Sequence, residues 1–358
     1  MFSIVTTLSI LEVIFKSESQ WVEIIRNDCT CLWVKADVFP NNPELIAYSQ
    51  GGKLRWDDHL VDSILKDYKV VMQHPESVYL LDLPQEDADF IQQSYGVICQ
   101  SCSHLDPSIL TKIDPDELFT EKNKVDYNWK SVSEGIVNPF LPSNSIIIND
   151  RYLFSGDCPE KDIEGRITGW EKHFGYDNLI NFLNCFLPNK LDKCEFHVLI
   201  VTSEDAINKC KKEELVTRVN KMKKKLSPLR PYVINMELVF ISESSNLYEY
   251  THNRWVLSNY YIIRFDHKFA AFSGNRSLCT QNIRICKLYS SGLTGKSDAP
   301  VKFHDSLLLT VSEKVKDWRK CKKMSSLYAI FRNGKKNEII GDISNRLITT
   351  AECLSDDC

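Results

Sequence analysis

Apolar and polar residues alternate along the second half of the chain in segments whose lengths fit strands and helices. KCEFHVLIVTS is typical of a buried strand. The following segment, up to Pro228, carries apolar residues at helical spacing, with Ser203 as the expected N-cap. INMELVFIS is a second strand pattern. A strand, a helix and a strand in succession predict a right-handed crossover between two parallel strands.

Three further patterns extend this half. THNRWVLSNYYIIRFDHKFAAFS holds two short apolar runs and predicts two strands, and QNIRICKLYSS predicts another. WEKHFGYDNLINFLNCFL has apolar residues at helical spacing and predicts a helix before the crossover. A final helix is expected from about residue 304 to 324.

The first half alternates in the same way. SVYLLDL and GVICQS are short, apolar and bounded by turn residues, which favours buried strands. DDHLVDSILKDY and PQEDADFIQQSY fit helices with acidic residues in their first turns, where the helix dipole favours them. NSIIINDRYLFSG predicts a strand pair or a strand followed by a turn.

These elements predict an α/β fold, with a mixed sheet and flanking helices. The polar segment 155–165, SGDCPEKDIEG, is typical of a linker. We therefore expect a smaller α/β N-terminal domain over 1–155, a second domain over 165–325 and a C-terminal extension over 326–358. The type of the N-terminal domain is not indicated by any motif.

Composition narrows the class of protein. Hydrophobic residues make up 43% and charged residues 26%, which is a globular profile. The net charge of -4 argues against coating of DNA through overall charge but permits a local basic face. The 13 cysteines are irregularly spaced and several lie in apolar runs, which indicates free thiols in a reducing cytoplasm. The apolar N-terminus lacks a basic start and a cleavage site, so we expect neither a signal peptide nor a transmembrane segment.

The segment after INMELVFIS carries the residues with most chemical interest. His252-x-Arg254 is followed after four residues by Asn259, and Ser273 and Asn275 come later. This order resembles the phospholipase D superfamily, whose signature is H-x-K, four residues, D, and then G-S-x-N. In that chemistry a histidine attacks phosphorus, a cation holds the phosphate oxygens and an acid supports the histidine.

The resemblance is closest to the phospholipase D-like domain at the C-terminus of MIT-domain proteins. That domain carries H-D-R, four residues and N, lacks the catalytic set, and would correspond here to residues 165–325. The resemblance implies a phospholipase D-like C-terminal domain. Because asparagine replaces the acid at Asn259, it also implies that hydrolysis is lost.

Three functions follow as hypotheses. The first is a non-hydrolytic module that binds a phosphorylated ligand, or nucleic acid, through His252, Arg254, Asn259, Ser273 and Asn275, within a larger complex with a protein partner. The larger complex expected under this hypothesis is a bacterial defence or mobile-element system. The second is a dimeric, metal-independent phosphodiesterase or nuclease, in which a homodimer brings two copies of His252 together. The third is a scaffold that binds partners, and none of the three needs a cofactor.

Two other groups of residues are candidates for binding. Cys99-x-x-Cys102 with His104 has zinc-like spacing, but buried free thiols are the favoured explanation of a single pair, so we expect no metal site. The lysine-rich helix predicts a basic patch that could contact phosphate backbones or acidic lipid, or could simply be a solvated helix face. The lysines assigned to this basic patch are Lys212, Lys221, Lys224 and Lys225.

Overall fold

A computed structural model of the chain contains two large sheets. The structure describes these residues: 2–17, 19–111, 128–136, 141–172, 174–203, 212–241, 254–273, 276–277, 283–287, 306–309, 328–332, 335–338 and 345–348. No helix within these ranges is long and apolar enough to cross a membrane.

The first sheet has five parallel strands. These are β1 (Ser3–Thr7), β2 (Cys31–Lys35), β3 (Leu54–Trp56), β4 (Val78–Leu81) and β5 (Ile98–Ser101). Their order in the sheet is β3-β2-β1-β4-β5. The helices that connect them are α1 (Leu8–Lys16), α2 (Gln20–Asn27), α3 (Pro43–Gln50), α4 (Asp58–Lys66) and α5 (Gln85–Tyr95), with a 3-10 turn at Tyr68–Gln73. This is the doubly wound arrangement that alternating strands and helices produce.

The second sheet has eight strands and is mixed. These are β6 (Ser145–Asn149), β9 (Phe196–Ser203), β10 (Ile234–Ile241), β11 (Arg254–Ser258), β12 (Tyr261–Phe265), β15 (Ile283–Lys287), β16 (Tyr328–Arg332) and β17 (Lys335–Glu338). Their order is β15-β12-β11-β6-β9-β10-β16-β17. β6, β9 and β10 are parallel, whereas β11 runs antiparallel to β6.

Smaller elements complete the fold. Two hairpins pair β7 (Cys158–Lys161) with β8 (Ile167–Lys172), and β13 (Phe272–Ser273) with β14 (Arg276–Ser277). The remaining helices are α6 (Ser108–Thr111), α7 (Trp129–Ile136), α8 (Phe174–Phe186) and α9 (Lys212–Leu226), and a 3-10 turn follows at Ser227–Leu229.

The α/β class is confirmed, and so is the expected crossover, because β9, α9 and β10 follow one another and the two strands are parallel. The expected two strands are present as β11 and β12, within residues 254–265. The expected helix over 304–324 lies mostly outside the described residues.

The expected division of the chain differs from the arrangement of the sheets. β6 ends at Asn149, before the segment 155–165 that was expected to separate the domains, yet it lies between β11 and β9 in the second sheet. β16 and β17, from the expected C-terminal extension, add two strands to the same sheet. The polar segment 155–165 forms an exposed turn and part of a hairpin after β6. The chain passes from the first sheet to the second earlier, between β5 and β6.

The two sheets meet at a buried contact between the end of α5 and the chain before β6, termed the joint. Gly96 ends α5 with φ of 64°, and a Cβ on it would lie 2.4 Å from the carbonyl oxygen of Ser143. The side chain of Asn144 donates to the carbonyl of Tyr95 at 2.8 Å. Only glycine therefore lets the chain before β6 approach the end of α5 this closely.

Candidate functional site

The directions of β6, β9 and β11 bring one end of each strand to the same edge of the second sheet. β6 and β9 are parallel, so their carboxyl ends share this edge, with Asn149 opposite Val201. β11 runs the other way beside β6 and pairs Trp255 with Asn149, which places Arg254 at the same edge. In open α/β sheets, the carboxyl ends of parallel strands are where ligands commonly bind.

The carboxylate of Asp150, directly after β6, organises this edge. One oxygen accepts from the backbone N–H of Phe269 at 2.7 Å, and the other accepts from that of Tyr152 at 2.8 Å. Asp150 is fully buried, and burial raises its pKa, while both hydrogen bonds and the charge of Arg254 oppose the rise. It thus ties the turn after β6 to the loop after β12.

An aromatic cluster fixes that loop. The indole ring of Trp129 in α7 stacks on Phe269 at 5.3 Å between centroids and contacts Phe272 edge-on at 5.1 Å. The buried amide of Asn178 accepts from the indole N–H and from the backbone N–H of Phe272. Packing of this kind holds the backbone that binds Asp150 in one conformation.

Arg254 is the cation at the edge. Its Nε lies 3.7 Å from Asp150 Oδ1, its guanidinium lies 5.7 Å from the ring of Tyr152, and one Nη donates to the carbonyl of Asp266 at 3.4 Å. Its side chain remains 18% exposed. Its Nε–H is buried and has no hydrogen-bond partner among the described residues. A buried donor without a partner is a natural position for an acceptor supplied by a ligand.

A second carboxylate lies in the turn that leaves β6. Asp157 accepts from the guanidinium of Arg218 in α9 at 2.7 Å and from the backbone N–H of Gly175 at 2.7 Å. Both side chains of this ion pair are buried, and the Arg218 guanidinium also lies 4.5 Å from the ring of Tyr176. Burial raises the pKa of Asp157 to about 6, although Arg218 acts against the rise.

The structure separates the residues of the expected ligand site. Arg254 lies at the edge, whereas Asn259 is at the opposite end of β11, ~16 Å away along a strand. Only the backbone of Ser273, in β13, is described. His252 and Asn275 lie outside the described residues.

Asn259 is a structural residue of the joint. It is fully buried, and its carbonyl oxygen accepts from the backbone N–H groups of Asn144 and Ser145, both at 3.1 Å. Its amide nitrogen donates to the carbonyl of Pro75 at 2.8 Å and to the side chain of Asn144 at 3.1 Å. These bonds use its hydrogen-bonding capacity, so the expectation that Asn259 contacts a ligand does not agree with its position.

The zinc-like residues are not brought together. Cys99 is buried in β5, where burial raises the pKa of its thiol, while Cys102 and His104 are exposed. Cys102 donates to the carboxylate of Asp82 at 3.0 Å. Across the described ranges, no group of three or more His, Cys, Asp or Glu side chains has the geometry of a metal site.

Three of the four lysines of the expected basic patch, Lys221, Lys224 and Lys225, are exposed on α9. Lys212 begins the helix, and its side chain is not described. Arg218, which the sequence groups with these lysines, is instead buried against Asp157.

Asp150, Asp157 and Tyr152 were not identified as site residues from the sequence. The available signal was their place directly after an apolar strand, because carboxyl ends of buried strands commonly carry functional side chains. Comparison of the chain with protein-family models and with curated proteins gives no match.

Proposed function

We propose that the carboxyl edge of the second sheet binds a phosphorylated ligand, and that the chain is a phospholipase D-like binding module without hydrolytic activity. The observation that carries the proposal is the Nε–H of Arg254, which is buried beside Asp150 without a hydrogen-bond partner among the described residues. Arginine suits this role because its planar guanidinium binds phosphate oxygens in a fixed geometry.

Asp150 and Tyr152 support the proposal by orienting this cation. The carboxylate on one side and the aromatic ring on the other restrict the guanidinium before a ligand arrives. A cation held in place loses less conformational entropy on binding than a free surface arginine does. The partly exposed side chain leaves a route for phosphate oxygens.

The position of Asn259 supports the absence of hydrolysis. Hydrolysis by a histidine nucleophile needs a group that stabilises the imidazolium. Asn259 is an uncharged amide, it is bound to Asn144, Ser145 and Pro75, and it lies at the other end of β11 from Arg254. It therefore cannot act on a group at the edge where Arg254 lies.

Binding and cleavage can be measured on the same probe. A short fluorescein-labelled single-stranded DNA is titrated with protein in metal-free buffer to measure binding. Inorganic pyrophosphate is then added as competitor. A denaturing gel of the same DNA shows whether it has been cleaved. We expect the protein to bind the probe without cleaving it, and pyrophosphate to compete with the probe. The affinity of Arg254→Gln for the probe should be lower than that of the wild type by about tenfold or more.

Two results would contradict the proposal. Cleavage by the wild-type protein that His252→Ala abolishes would make the chain a phosphodiesterase. Failure of the probe and of pyrophosphate to bind would exclude the phosphate ligand and favour a scaffold. Arg264→Gln is the matched control, because Arg264 is exposed on the neighbouring strand and lies one position from Phe265, the residue that pairs with Arg254.

A further inference from the structure

Exposed apolar side chains are concentrated in two places. Within the described ranges, nine large hydrophobic residues are exposed, and five of them fall into two clusters with opposite charge around them. Val38, Phe39 and Trp56 form one cluster, and Leu229 and Val233 lie in the short segment between α9 and β10. Exposed apolar patches rimmed by charge are typical of interaction surfaces.

The first cluster, with Asp37 and Asp58, is termed the acidic patch. Val38 is 68% exposed and Phe39 is 62% exposed, and the ring of Phe39 lies 6.4 Å from that of Trp56. The carboxylate of Asp58 accepts from the backbone N–H of Ala36 at 3.1 Å, which holds the loop after β2 against the start of α4. The apolar residues and both carboxylates therefore form one continuous surface.

Two cations, Lys35 and Arg55, lie near the acidic patch. Lys35 lies 2.6 Å from the carboxylate of Asp62, and the guanidinium of Arg55 lies 5.4 Å from the ring of Trp33. Asp37 and Asp58 are both exposed. The four carboxylates of this stretch (Asp37, Asp57, Asp58 and Asp62) outnumber these two cations, so the net charge next to the aromatic rings is negative.

The second cluster follows the basic patch along the chain. Lys221, Lys224 and Lys225 are exposed, and no acidic residue occurs between Thr217 and Leu226. Leu229, in the turn after α9, is 56% exposed, and Val233, before β10, is 44% exposed. Positive charge at a helix C-terminus is ordinary, but two exposed apolar residues beside it are not accounted for by the helix dipole.

We propose that the acidic patch of one copy of this chain binds the basic patch of a second copy. Each surface offers apolar side chains for burial and charges that complement the other. A symmetric dimer through either patch would place like charges opposite each other, which opposes that arrangement. A contact between two different surfaces is heterologous, so it extends into a chain of copies or closes into a ring.

Charge reversal tests this pairing directly. Sedimentation velocity of the full chain over a range of concentrations, at low and at high salt, measures association. We expect the wild type to associate, more strongly at low salt. Asp37→Lys and Lys224→Glu should each weaken association about fivefold or more, because each brings like charges together.

Mixing the two variants separates charge pairing from damage to the fold. The reversed acidic patch of Asp37→Lys complements the reversed basic patch of Lys224→Glu, so the mixture should associate more strongly than either variant alone. Lys69→Glu, at an exposed position of the 3-10 turn Tyr68–Gln73 beside the first sheet, makes the same change of charge outside α9 and should leave association unchanged. Phe39→Ser should weaken association without changing charge.

Three results would overturn the proposal: a wild type that stays monomeric at low salt, a mixture that does not associate, or a control that weakens association as much as Lys224→Glu. Self-association that is insensitive to Asp37→Lys, together with loss of single-stranded DNA binding in Lys224→Glu, would assign the basic patch to nucleic acid instead.

Discussion

The hydroxyl of Tyr260 lies 3.0 Å from the backbone nitrogen of Ile98 and 2.7 Å from the carbonyl oxygen of Ser77. Tyr260 is in the turn between β11 and β12 of the second sheet, whereas Ile98 begins β5 of the first. The hydroxyl accepts from the Ile98 N–H and donates to the Ser77 carbonyl. One side chain of the second sheet therefore bonds to the backbone at the start of two neighbouring strands of the first sheet, β4 and β5. β11 therefore has Arg254 and the candidate site at one end, and the joint held by Tyr260 at the other.

Removal of this hydroxyl should loosen the joint. Tyr260→Phe leaves the buried N–H of Ile98 without its acceptor, which should lower the free energy of unfolding by about 1–3 kcal/mol. Tyr95→Phe is the control, because Tyr95 is also buried and its hydroxyl has no hydrogen bond among the described residues. Urea unfolding of both variants measures the difference, and equal losses would show that the joint is not held by Tyr260.

Close approach at Gly96 gives a separate test of the joint. Gly96→Ala combines a strained φ with a Cβ only 2.4 Å from the carbonyl oxygen of Ser143. Gly52 also has a positive φ, of 75°, but a Cβ there would meet nothing within 4 Å. We expect Gly52→Ala to cost about 1–2 kcal/mol of unfolding free energy and Gly96→Ala clearly more. Similar costs in urea unfolding would argue against the packing of α5 on the chain before β6.

The buried ion pair should respond strongly to loss of its cation. Arg218→Met leaves the carboxylate of Asp157 buried without a counter-charge and should cost about 3–5 kcal/mol of unfolding free energy. Lys224→Met, at an exposed position of the same helix, should change it by less than about 0.5 kcal/mol.

The pH dependence of the Arg218→Met effect follows from the pKa of Asp157. Burial raises this pKa to about 6, and removal of Arg218 should raise it further. Because a protonated carboxyl needs no counter-charge, the loss in stability should be largest above the raised pKa of the variant, should shrink as the pH falls from there towards about 6, and should be small below it. A loss that stays constant over this interval would show that the carboxyl of Asp157 is not the group left unpaired.

Glu195 should contribute stability that acid removes. The imidazole of His197, whose Nε2 lies 3.5 Å from the carboxylate, and a hydrogen bond from Asn235 lower the pKa of this carboxyl from 4.5 to about 2. The stabilising contribution is thus present above the unfolded value and is lost as the pH falls from about 4.5 towards 2. Urea unfolding should show Glu195→Gln less stable than wild type at neutral pH, with a smaller difference near pH ~3. A difference that does not change with pH would contradict this assignment.

Local patterns in the sequence predicted most of the elements correctly. β9, α9 and β10 carry long runs with clear periodicity, and the rule for crossovers then gives their parallel pairing. The two strands β11 and β12 were expected from their short apolar runs, but their pairing was not predicted.

Contacts between distant segments account for what the sequence did not predict. Asn259 is spaced from Arg254 as a site residue would be, but its partners lie at Pro75 and at Asn144, far away in the chain. Arg218 belongs to a lysine-rich helix, and only the fold places it against Asp157. The strand β6 is likewise assigned to its sheet by β9 and β11 and not by its own sequence.

The most direct test of the account is isothermal titration of pyrophosphate into the wild type, Arg254→Gln and Arg264→Gln. Loss of charge-assisted hydrogen bonds from Arg254 should weaken binding about tenfold or more, while Arg264→Gln should bind as the wild type does. Equal affinity of the wild type and Arg254→Gln, or no binding by the wild type, would contradict a phosphate site at the carboxyl edge of the second sheet.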